Sequence, residues 1–153
     1  MADTSGAFAP EIRHGLYELA GGREGFYRLV AAMHERIIRD DILGPLFADA
    51  DHLVPVTEFF VGAFGGEGDP AGLGALCAAH HGRELTEVQR RRYVQQMMAS
   101  ADDSGFPDAP EVRAVFAAWL EWGTRTALLA ARGEPAPQPP GWLLAALDKP
   151  SRP

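Results

Sequence analysis

Three histidines stand on apolar stripes of this sequence, and their placement defines the chemistry the chain could carry. His34 lies four residues after Val30 and four before Ile38, so helical geometry turns its ring toward an apolar side. His52 lies four before Val56 and seven before Phe59, and His80 lies four after Leu76 and seven after Leu73. On a helix, His81 is rotated about 100° from His80, and it abuts Gly82. Singly, each imidazole reads as a core or helix-terminal residue whose ring nitrogens find partners. Together, three imidazoles on three helical segments suggest one shared cavity. There a ring nitrogen can ligate a metal, donate a hydrogen bond or take up a proton near neutral pH.

The spacing narrows the choice of metal chemistry. A zinc site is disfavoured: Cys77 is the only cysteine, there is no H-E-x-x-H, and positions 34, 52 and 80 put no two ligands on one turn. Covalent haem attachment is excluded, because "CAAHH" lacks the second cysteine of C-x-x-C-H. A haem held by one imidazole needs no local pairing. It needs an axial nitrogen, a flat apolar slot and cations for its propionates.

The elements that must position these side chains are helices, since the apolar residues recur with period 3.6. From Arg23 to Arg39 the stripe is Phe26, Leu29, Val30, Met33, Ile37 and Ile38, and Gly21 and Gly22 separate this helix from a shorter one over Ile12 to Ala20. Pro45 breaks the pattern in "DDILGPLF", which predicts a turn or a single helical coil ending on Phe47. Asp51 to Phe64 reads as the next helix, stopped at Gly65 and Gly66. A glycine-rich loop follows, with a short helical piece from Ala75 to His81 behind it. Thr86 and Gln89 form a capping box that starts a helix at about Glu87, with Tyr93, Val94, Met97, Met98 and Ala101 as its stripe. Pro110 suits the first turn of a last long helix carrying Val112, Val115, Phe116, Trp119, Trp122 and Thr126. Beyond Gly133 the run "EPAPQPP" is expected to be extended or disordered, and "GWLLAALDK" forms a small apolar tail able to dock back. The expected class is all-α.

Composition bounds the function. At 153 residues the chain is sized for one core, divided here into an N-terminal extension (1–14), a helical domain (15–131) and a Pro-rich C-terminal tail (132–153). Its net charge of −7 argues against nucleic acid or an anionic membrane as partner. The basic run Arg90, Arg91 and Arg92 is expected to form a solvated face. No basic start followed by an apolar run and no segment of about 20 apolar residues is present, so the expectation is a soluble cytoplasmic protein. A lone cysteine fits a reducing compartment.

Three blocks, "LYELAGGREGFYRLVAAMHERIIRDDILGPLF", "HLVPVTEFFVGAFGG" and "HHGRELTEVQRRRYVQQMMASADDSGFPDAPEVRAVFAAWLEWGTR", occur in order between about Gly15 and Ala130. In that order they resemble a truncated haemoglobin of the second group, in an actinobacterial style. The resemblance implies a truncated globin fold, a two-over-two helical sandwich around haem b (iron protoporphyrin IX). In that family the proximal histidine precedes an aromatic residue, usually Trp, by 13 positions. Counting back from Tyr93 gives His80 as the iron ligand. The same register places His34 where the family has a distal Tyr, Phe47 on the aromatic beside the haem, His52 at the distal position of the next helix, and Val56 one turn later. Phe59, Leu76 and Met97 then belong to the apolar wall, His81 to the propionate edge or solvent, and Arg83 is the nearest candidate cation for a propionate.

Two departures change the expected chemistry. His34 replaces a phenol and Tyr93 an indole, so the donors around a bound gas differ from those of the family. The linker before His80 is also short and lacks the family's usual aromatic. The resemblance implies binding of diatomic gases, namely oxygen, carbon monoxide and nitric oxide, with a reductase as a further partner. The alternative is a haem enzyme with peroxidase-like or nitric-oxide-consuming activity that uses a distal imidazole. A haem-free helical interaction module is the third class, because a fold does not dictate function.

Overall fold

The computed structural model describes residues 15–48, 52–66 and 73–145. Among them every regular element is a helix: α1 (Leu16–Leu19), α2 (Gly22–Ile37), α3 (Gly44–Phe47), α4 (Leu53–Ala63), α5 (Leu73–His80), α6 (Glu87–Asp103), α7 (Pro110–Ala131) and α8 (Gly141–Ala145). The expected helix ends at Ile12 and Asp51 lie outside the described residues.

Local chemistry accounts for most of the boundaries. At the start of α6, Gln89 donates its backbone N–H to Thr86 Oγ1 at 3.2 Å, and Thr86 donates its own to Gln89 Oε1 at 2.9 Å. Pro110 occupies the first turn of α7, where its missing N–H would have no helical partner. Gly21, with φ of 99°, turns the chain from α1 into α2. The two helices meet backbone to backbone: a Cβ on Gly25 would lie 2.3 Å from the Ala20 carbonyl oxygen.

The core gathers one face from each long helix. Phe26, Leu29, Val30, Met33 and Ile37 of α2 are fully buried with Phe60 and Val61 of α4, Met97 and Ala101 of α6, and Val112, Val115, Phe116 and Trp119 of α7. Each such side chain contributes about 1.5–3 kcal/mol when buried. An aromatic seam runs through it, with Phe26 to Phe60 at 6.0 Å, Phe60 to Phe116 at 5.3 Å and Phe116 to Phe106 at 5.1 Å between ring centroids. α2 packs closely on both α4 and α6, α6 packs on α7, and α5 packs on α7. Among the described residues, α4, α5 and α6 do not pack extensively on one another.

The chain after α7 folds back as expected. Trp122 Nε1 donates to the Pro137 carbonyl at 3.2 Å, and Leu143 of α8 is buried against the core while Trp142 stays exposed. The basic run behaves differently from its expectation. Arg90 is buried, its side chain only 4% exposed; it pairs with Glu87 within α6 and clamps α6 to α7 through Glu121 and Thr124. Spacing explains this: Arg90 lies on the α7 side of α6, seven residues before Met97 and a further four before Ala101, both fully buried, whereas Arg91 turns to solvent. No helix among the described residues is long and apolar enough to cross a membrane.

Candidate functional site

Four of the singled-out side chains meet in one continuous group. His34, in the last turns of α2, and His52, at the N-terminal boundary of α4, approach each other with Nδ1 of the first 3.1 Å from Nε2 of the second. Their rings are 4.9 Å apart between centroids and inclined at 42°. Phe47, the last residue of α3, sets its ring edge-on to His52 at 4.7 Å and stacks on Tyr93 of α6 at 6.0 Å. The short α3 therefore carries Phe47 between the imidazoles and the phenol.

The turn that delivers α3 is held by Asp40, a residue that the apolar periodicity does not single out. Its buried carboxylate accepts hydrogen bonds from the backbone N–H groups of Ile42 (2.9 Å) and Leu43 (3.0 Å), from Gln96 Nε2 (2.6 Å) and from Arg92 Nε (2.5 Å). Burial alone would raise its pKa. The bonds from Arg92, Leu43, Gln96 and Ile42 outweigh that and hold it down at about 2. The sequence signal for this lock is an aspartate two and three residues ahead of backbone N–H groups in a turn, a pattern common to many surface turns.

Tyr93 is half-buried, yet protein surrounds its phenol closely enough that burial pushes the pKa well above the ordinary range. The phenol therefore stays a neutral donor and acceptor. Val56 and Phe59 on α4 and Leu76 on α5 are half-buried at the margin of the core, as are Phe47 and Tyr93. Met97 lies deeper and is fully buried. Phe59 sits against α7 where Gly123 leaves room: a Cβ there would come within 3.1 Å of Phe59 Cζ.

His80 ends α5, half-buried, and its Nδ1 lies 2.8 Å from the carbonyl oxygen of Leu76. A carbonyl only accepts, so Nδ1 carries the hydrogen, and in the neutral ring Nε2 carries a lone pair. That nitrogen has no hydrogen-bond partner among the described residues. His80 makes no ring contact or hydrogen bond with the His34 group among the described residues, so the structure joins four candidates directly and leaves His80 on a separate helix. His81 is exposed. Arg83, also exposed, donates from Nε to the Ala79 carbonyl at 2.9 Å and so caps the end of α5. No group of three or more His, Cys, Asp or Glu side chains is arranged to hold a metal ion by itself among the described residues. Two buried polar atoms of α7, Trp119 Nε1 and Thr126 Oγ1, have no hydrogen-bond partner among the described residues. Comparison of the chain with protein-family models, with curated proteins and with solved structures finds no match.

Proposed function

We propose that this chain is a haem protein of truncated-globin type, a two-over-two helical sandwich that binds oxygen and other diatomic gases, in which His80 would hold the iron. The observation that carries the reading is the contact of His80 Nδ1 with the Leu76 carbonyl oxygen. The Leu76 carbonyl holds the hydrogen on Nδ1 and orients the ring, leaving Nε2 as a lone-pair donor, which is the arrangement that outer hydrogen bonds impose on metal-binding imidazoles. An imidazole nitrogen oriented in this way suits a metal whose other ligands come from a macrocycle.

The surroundings fit a flat apolar group. Val56 and Phe59 of α4, Leu76 of α5, Phe47 of α3 and Tyr93 of α6 are apolar or aromatic and half-buried at the margin of the core. Arg83 retains the fork of its guanidinium beyond the Nε bond to Ala79, so it can meet a propionate at the mouth. When bound, haem supplies the iron that takes the gas. The chain's own part would be to orient His80, to exclude water with these apolar side chains and to offer His34, His52 and Tyr93 as polar groups.

A second reading, a haem enzyme of peroxidase-like or nitric-oxide-consuming type, draws on the contact between His34 and His52, since a linked pair of imidazoles can accept and return a proton. Absorption spectra of the purified chain with added haem test the first reading. A sharp Soret band, lost or greatly weakened in His80→Ala and retained in His81→Ala, is the expected result. An unchanged free-haem spectrum would overturn it, and a rapid reaction of the ferric form with peroxide would favour the enzyme.

A further inference from the structure

The chain that follows α7 is fastened back onto the core. Gly133, with φ of 74°, ends the helix: its N–H bonds to the Ala130 carbonyl at 3.0 Å and that of Glu134 to the Leu129 carbonyl at 2.9 Å, the paired bonds that turn a chain sharply off a helix. Four of the seven residues from 134 to 140 are prolines, whose rings fix φ, so this strap is stiff before it docks. Midway along it the Pro137 carbonyl accepts from Trp122 Nε1 at 3.2 Å. At the far end Pro139 is buried and Leu143 is fully buried in the cluster that also holds Trp119 and Trp122, while Pro140 and Trp142 stay exposed.

Trp122 stands edge-on to Trp119, with ring centroids 5.6 Å apart and planes at 87°. Trp119 in turn stands edge-on to Phe59 of α4 at 6.3 Å. Phe59 also rests on Gly123, one helical turn after Trp119, so a single face of α7 seats its ring at two places. The two indoles are held differently. Trp119 is fully buried and its Nε1 has no hydrogen-bond partner among the described residues, so packing alone sets its orientation. Trp122 has a polar tether, and that tether ends on the strap. We infer that the C-terminal strap positions the apolar wall of the candidate site: Leu143 seats the strap, the strap holds Trp122, and Trp122 holds Trp119 behind Phe59. The order of these contacts stands on the geometry alone; its effect on a bound group rests on the haem reading above.

Undoing one hydrogen bond and one anchoring leucine costs far less than unfolding the helical core, so the strap opens locally while the helices stay formed. On release the Trp122 N–H loses its acceptor and turns to water, which pulls the ring toward the surface that it already borders at 7% exposure. Trp119 then loses a ring it packs against and, having no bond of its own, changes its seat behind Phe59. Leu143 and Trp122 are thus positioning residues that touch the site only through Trp119 and Phe59.

The chain has three tryptophans, so in a Trp142→Phe background only Trp119 and Trp122 report. Circular dichroism of the full haem-free chain then reads the pair, because indoles this close couple their transitions into two bands of opposite sign. Leu143→Ala should collapse the band pair while the helical signal stays, and Leu143→Met, which keeps the volume, should retain it. With haem added, transfer of haem to an acceptor protein should be severalfold faster in Leu143→Ala and parental in Leu143→Met. A band pair unchanged in a helical Leu143→Ala chain would overturn the inference, and a collapsed pair with unchanged haem transfer would overturn its bearing on the site. If Leu143→Ala does not fold, Trp122→Phe carries the test, since it keeps a ring and removes the N–H that meets Pro137. The amides of Leu143 and Leu144, both bonded to the Pro140 carbonyl, should then exchange hydrogen faster than in the parent, and equal exchange would overturn the inference. The two readings fail separately. Collapse of the band pair in a chain that gives no haem spectrum would sink the haem reading alone, and a haem spectrum with indoles indifferent to Leu143 would sink the strap alone.

Discussion

Asp40 and Arg92 stand 52 residues apart in sequence, and the guanidinium Nε of one lies 2.5 Å from the buried carboxylate of the other. This contact ties the end of α2 to α6 across the turn that delivers Phe47. Asp40→Asn should lower stability by about 1–3 kcal/mol, the cost of weakening a buried acceptor while donors remain around it. It should also change the acid response. The folded carboxyl titrates at about 2 against an ordinary 3.8, so it contributes stability above the ordinary value that is lost as pH falls from there toward 2. Denaturant titrations repeated through that interval check the sign: the parent should lose more stability than the Asn variant.

Gly25→Ala should destabilise the chain by about 1–3 kcal/mol or more, as overpacking does. The new Cβ would meet the Ala20 carbonyl at 2.3 Å, and backbone cannot swing aside as a flexible side chain can. Gly123→Ala is the milder comparison, since its nearest neighbour is the Phe59 ring at 3.1 Å. Thermal melts should rank Gly25→Ala well below Gly123→Ala, and an equal shift would show that α1 and α2 do not meet as described.

Haem that binds the folded chain specifically should stabilise it by about 4 kcal/mol when free haem is 1,000-fold above its dissociation constant. Melting curves of haem-free and haem-loaded samples measure this, with His80→Ala as the control expected to lose most of the gain. Coincident curves would count against a specific site.

Arg83→Ala removes the Nε bond to Ala79 and, with it, the cation nearest His80 in the sequence. Transfer of haem to an acceptor protein should be faster in the variant. Because the side chain is exposed, the effect on the apo fold should be within about 1 kcal/mol. An unchanged transfer rate would leave Arg83 as a helix cap only.

Oxygen bound to ferrous haem carries partial negative charge, and a donor aimed at it is worth about 1.5–3 kcal/mol. Each 1.4 kcal/mol is roughly tenfold, so His34→Leu should speed oxygen release by roughly 10- to 100-fold and carbon monoxide release much less. His52→Leu is the companion variant, because its imidazole adjoins that of His34. Stopped-flow rates equal to the parent for both variants would remove the pair from the ligand side.

Much of this protein is written locally. Thr86 with Gln89 starts α6, Pro110 starts α7, and the spacing of Phe26, Leu29, Val30 and Met33 gives α2 its buried face, because caps and helical periodicity act within a few residues. The same spacing turned His34, His52 and His80 toward apolar sides without saying which would touch. Pairing is a matter of how helices cross, and only the packing of α2 on α4 brings His34 Nδ1 to His52 Nε2 across 18 residues of sequence. The burial of Arg90 was likewise illegible in a run of three arginines. It depends on α7 bringing Glu121 and Thr124 over one face of α6, and a solvated face and a buried clamp share one sequence until that helix arrives.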